Sequence, residues 1–78
     1  MMSLINSPRR KQLRITNISG GAEVRRRLFS LGIHKDDIVE LDSRSMFRGP
    51  VLIRNNTTGT SVAIGRGIAS KIMVDFVE

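Results

Sequence analysis

The chain contains no cysteine, no tryptophan and no tyrosine, and its 78 residues include three phenylalanines and a single histidine. Without cysteine there is no disulfide, no thiolate nucleophile and no thiolate-ligated metal, so the core must hold without covalent staples. One histidine is too few for a stable transition-metal site, which wants three or more converging His, Asp or Glu ligands. His34 with Asp36 and Asp37 offers at most a weak contact, because adjacent side chains in a turn diverge, and no metal or other cofactor is expected. No apolar run approaches the roughly 20 residues of a membrane helix. The start, Met1-Met2-Ser3-Leu4-Ile5, is too short and too soon polar for a signal peptide. The expected address is the cytoplasm, with no direct membrane insertion.

Basic residues are plentiful. Thirteen Lys and Arg face seven Asp and Glu, giving a formal charge of +6, and ten of the thirteen are arginine, the side chain suited to bidentate contacts with phosphate or carboxylate. Such a charge has two readings: an anionic partner, or a surface that keeps a small domain soluble.

Along the chain, residues 1–11 carry Pro8, the run Arg9-Arg10-Lys11 and a brief apolar pair, Leu4-Ile5, and read as an arm or short docking segment. From Gln12 to Ile18, Leu13 and Ile15 alternate with Arg14 and Thr16, the period of a half-buried strand, which Gly20-Gly21 ends. From Ala22 to Leu31 the period becomes helical, with Val24, Leu28 and Leu31 on one face and Gly32 placed as the C-terminal cap. Four more strands follow, centred on Val39-Leu41, Val51-Ile53, Val62-Ile64 and Ile72-Val77. Asn55-Asn56-Thr57-Thr58-Gly59 predicts an antiparallel hairpin between the middle two. Gly65 to Ser70 leaves room for one helical turn.

Five short strands with one helix after the first cannot build a parallel sheet, whose crossovers need about a dozen residues each. They fit a mainly β fold, a small antiparallel barrel over residues 12–78. Its expected core is Leu13, Ile15, Val39, Leu41, Val51, Ile53, Val62, Ile64, Ile72, Val74 and Phe76, with Val24, Leu28 and Leu31 of the helix closing one end.

The stretch Ile18-x-Gly20-Gly21-x-x-x-Arg25-Arg26-Arg27-Leu28-x-x-Leu31-Gly32-Ile33 resembles the signature of the FeoA family, small accessory proteins of bacterial ferrous iron transport. Gly49-Pro50-Val51-Leu52-Ile53 and the segment Val62 to Val74 are similar to that family's central strand entry and closing segment, so the likeness runs from Leu4 onward. The resemblance implies an SH3-like barrel with a helical insertion, a fold shared with the C-terminal module of some metal-dependent transcriptional repressors. It also implies a noncatalytic cytoplasmic protein that supports Fe(II) uptake by binding the membrane transporter FeoB, which has a cytosolic GTPase domain. Two positions depart from the family pattern: Lys35-Asp36 stands where Pro-Gly is usual, and Arg10 where glycine is common. A positive φ at Asp36 is tolerable for Asp at some cost in strain.

The candidate contact residues are Arg25, Arg26, Phe29, Met46, Phe47 and Arg48. Helical steps of about 100 degrees send Arg25, Arg26 and Arg27 in different directions, with Arg26 farthest from the apolar stripe. The plainer reading is a solvated face with Arg27 held by Glu23. Phe29 lies roughly 140 degrees from the stripe's centre, either exposed as an interface anchor, or folded under the turn at 32–37 or against the N-terminal arm. Leu4 and Ile5 either close the barrel or rest on the transporter. Met46-Phe47-Arg48 falls in a loop, as a contact tip or as a cover over the barrel's open end.

No Ser, His and carboxylate arrangement for nucleophilic catalysis is visible, and Gly65-x-Gly67 lacks the rest of a phosphate-binding loop. The alternative to the docking protein is a basic barrel that binds nucleic acid, carried by Arg9, Arg10, Lys11, Arg14, Arg44, Arg48, Arg54 and Arg66. The scarcity of aromatic side chains for base stacking counts against it. Exposed sheet edges leave weak self-association open.

Overall fold

The computed structural model describes residues 1–42 and 49–77. The elements follow as β1 (Met2–Ser3), a 3₁₀ turn (Leu4–Asn6), β2 (Leu13–Ile18), α1 (Gly21–Ser30), β3 (Ile38–Leu41), β4 (Val51–Asn55), β5 (Thr60–Ile64), α2 (Arg66–Ala69) and β6 (Ile72–Phe76). They form one antiparallel sheet in the order β1-β6-β2-β3-β4-β5. The five strands read from alternation are present, the hairpin and the single turn before β6 included. The sixth is the two-residue β1, where Met2 pairs with Val74 and Ser3 with Met73.

Alternation places Leu13, Ile15, Val39, Leu41, Val51, Ile53, Ile64, Ile72 and Val74 in the core, as expected, while Val62 and Val24 are partly buried against it. Four further apolar residues join them from outside the expected pattern. Leu4 is fully buried beneath the N-terminal turn, and Ala69 of α2 is buried as well. Ile18 is buried because a bulge between Ile15 and Asn17 inserts one extra residue into β2, so that Ile15 opposes Val74 and Ile18 opposes Ile72. Ile33 is the fourth.

Two expected core residues are instead exposed. Leu31, 38% exposed, is the residue on which α1 ends and so does not continue the helical stripe. The chain leaves α1 through a Schellman motif: Gly32 at φ 83° donates its N–H to Phe29 O (3.0 Å) and Ile33 donates to Leu28 O (2.9 Å). The accompanying apolar residue, Ile33, takes the buried place beside Leu28 that the period assigned to Leu31. Phe76, 55% exposed, closes β6 two residues past Val74, where β1 stops, and has only Leu13 of β2 opposite it.

At the other end of α1, Gly20 has φ 95°, and a Cβ there would lie 2.9 Å from Val24 Cγ2, so a larger residue at the strand-to-helix corner would strain the backbone and displace Val24. Both departures from the family pattern sit in left-handed backbone, Arg10 at φ 65° and Asp36 at φ 73°. Hydrogen bonds to neighbouring strands hold them there, Arg10 N–H to Leu41 O and Asp36 N–H to Ile15 O, each 2.8 Å.

Candidate functional site

α1 is ten residues long, yet only Leu28 is buried and Val24 half-buried; every other side chain it carries is exposed. Phe29 is the conspicuous one, 69% exposed. Its ring meets the imidazole of His34 edge-on, with centroids 4.7 Å apart and planes 73° apart. Phe29 therefore packs on the turn that follows the helix and still presents most of its surface.

That turn is held from below. Oδ2 of Asp37, a residue 7% exposed, accepts three hydrogen bonds: from His34 N–H (3.0 Å), from His34 Nδ1 (3.0 Å) and from Asn55 Nδ2 (2.8 Å). A carboxylate can only accept, so Nδ1 is the protonated ring nitrogen in this tautomer. Asn55, 1% exposed at the end of β4, also donates to Gly32 O (2.9 Å), and its Oδ1 accepts from Thr57 N–H and Thr58 N–H. One amide thus ties the β4–β5 hairpin to the turn after α1, and the turn in turn fixes the ring beneath Phe29.

Between α1, the end of β2 and this turn lies a cleft of about 180 Å³, lined by Asn17, Ile18, Arg25, Phe29, Ile33, His34 and Lys35. Of the six contact candidates, Arg25 and Phe29 come together here. Arg26, three residues before Phe29 and so on its other flank, does not line the cleft; it is exposed and pairs with Glu23 at 3.1 Å. The sequence expectation of Glu23 holding Arg27 is corrected, the i,i+3 partner being chosen over the i,i+4 one; such exposed pairs add little to stability. Met46, Phe47 and Arg48 lie outside the described residues. Ile33, His34 and Lys35 were not among the contact candidates, and the Leu28-to-Ile33 helix ending is the signal that brings them to the cleft.

Among the described residues no three His, Cys, Asp or Glu side chains gather as a metal cluster. His34 and Asp37 face each other, while Asn55 takes up the same carboxylate oxygen. Among the described residues, no helix is long and apolar enough to cross a membrane.

The sequence matches the FeoA domain over residues 2–75. The chain belongs to the FeoA family. A relative from Methanocaldococcus jannaschii named Fe(2+) transport protein A is 38% identical over 64 residues, covering 82% of this chain and 73% of its own. The crystal structure of an iron uptake regulatory protein (FeoA) superposes with a TM-score of 0.82 at 26% identity, over 97% of this chain and 96% of that one. The manganese regulator SloR shares the fold alone, with a TM-score of 0.79 at 13% identity, over 97% of this chain and 34% of that one. The FeoA fold is SH3-like, and the family's role is that of an accessory protein in Fe(2+) transport. Within that fold the cleft is bounded by the helix inserted between β2 and β3.

Proposed function

We propose that this FeoA-family chain is a noncatalytic cytoplasmic accessory protein that supports Fe(II) uptake by docking on the cytosolic portion of the membrane transporter FeoB. The observation that carries this reading is α1 itself, a helix anchored by Leu28 and turned outward at Phe29 between Arg25 and Arg26. A large exposed aromatic beside arginines is the composition of an interface hot spot.

The test is binding of the purified protein to the cognate transporter in nanodiscs at about 150 mM salt, with a DNA duplex and a single-stranded RNA as controls. Saturable transporter binding, weakened by Arg26→Glu and undetectable on either nucleic acid, is the expected result. Nucleic-acid binding that falls steeply with added salt, with no transporter binding in any nucleotide state, would overturn the reading.

A further inference from the structure

We propose that the cleft between α1 and the turn after it is a recognition pocket for one apolar side chain of a protein partner, presented in an acidic segment whose carboxylates meet Arg25 and Lys35. The identity of the partner as the transporter rests on the docking reading above; the chemistry of the pocket rests on its own residues.

Size selects the ligand class. Small-molecule sites run to about 300–1,000 Å³, whereas this cleft holds about 180 Å³. An apolar cavity of about 150 Å³ takes a benzene-sized group, so the cleft matches a single leucine, methionine or phenylalanine side chain. Its lining is suited to that group. Ile18 and Ile33 are buried core residues that reach the cleft, and the Phe29 ring borders it.

Charge selects the flanks. Arg25 and Lys35 are exposed members of the lining, and among the described residues no carboxylate lines the cleft with them and neither enters an ion pair. The acids in the vicinity are accounted for: Glu23 pairs with Arg26, Asp37 is buried under His34 and Asn55, and Asp36 lies outside the lining. Two cations beside an apolar slot favour carboxylates on either side of an inserted apolar side chain and repel a basic segment.

The pocket is also preorganised. Phe29 rests on His34, His34 is fixed through two donors to Asp37, and Asp37 is fixed by Asn55. An aromatic wall already in place loses little freedom on binding, which raises the affinity a small contact can reach.

The test uses the full chain, ¹⁵N-labelled, titrated with three capped pentapeptides: a central leucine flanked by glutamates, the same peptide with central alanine, and the same with lysine flanks. Saturable shifts centred on Arg25, Phe29, Ile33, His34 and Lys35 are expected from the first, with at least about tenfold weaker binding of the other two. In parallel, Phe29→Ala, Lys35→Glu and, away from the cleft, Arg54→Glu are titrated against the transporter in nanodiscs. Loss of about tenfold or more for the first two and little for the third supports the pocket. Transporter binding that Phe29→Ala and Lys35→Glu leave unchanged overturns the pocket and leaves the docking reading standing. Peptide selectivity without any transporter binding supports the pocket and removes the docking reading. Shifts indifferent to the central residue and to the flanks overturn the pocket.

Discussion

β6 and α1 are built on opposite terms. β6 lies between β1 and β2, and Ile72 and Val74 are without exposed surface, so the strand is anchored in the core and only its last residue, Phe76, beyond the reach of β1, is left largely exposed. α1 has twice the length but contributes one buried side chain, Leu28, while Phe29 and Leu31 stay in solvent. Burial explains the sequence of the strand and leaves that of the helix largely unexplained. The difference teaches that burial in this domain is concentrated in the sheet, and that α1, held to it through Leu28, leaves most of its side chains in solvent.

The comparison breaks most sharply at the core. Ile72→Ala is expected to cost about 3–5 kcal/mol, read from urea unfolding, and Leu28→Ala about 2–4 kcal/mol, since a surface helix settles more readily into the space left. Equal costs would mean that α1 is as integral to the fold as β6. Next comes Asn55→Ala, which leaves Asp37 and Gly32 O short of a donor and two hairpin N–H groups short of an acceptor; a loss of about 2–3 kcal/mol is expected. Hydrogen exchange should locate that loss in the turn at 32–37 and in the β4–β5 hairpin.

Smaller effects sharpen the contrast. Arg10→Gly and Asp36→Gly relieve left-handed backbone and should each stabilise the domain by about 0.5–1 kcal/mol, a rise of about 3–6 °C in Tm by calorimetry. Smallest of all, Phe29→Ala should change stability by less than about 0.5 kcal/mol while weakening partner binding by an order of magnitude. A large destabilisation there would assign Phe29 to packing and erase the distinction between the two regions.

The strands were legible because a buried face every second residue leaves a direct imprint on composition, and Gly32 marked the helix end. What local periodicity could not show was how the chain leaves each element. The bulge that returns Ile18 to the core and the turn that exchanges Leu31 for Ile33 are backbone events without a residue pattern of their own. Phe76 has the right spacing but lies beyond the strand that would cover it. Asn55 reads as one more turn former among its neighbours, and only the fold reveals it as a buried amide with two pairs of partners. The positive φ at Asp36 was visible only against the family's usual Pro-Gly, and the one at Arg10 was not anticipated although glycine is common there. The cleft was half visible, through Arg25 and Phe29, because its other wall comes from the turn that follows the helix.

The last strand to be synthesised, β6, occupies the second place in the sheet, and its pairs with β1 and β2 span almost the whole chain. Until it emerges, β1 has no neighbour, β2 presents a bare edge, and the core lacks Ile72 and Val74. At about 5–20 residues per second of translation, that incomplete sheet persists for seconds on the ribosome. The domain therefore cannot close its core before β6 is available to pair, and any chain stopped short of β6 would leave β1 without a neighbour and an edge of β2 bare.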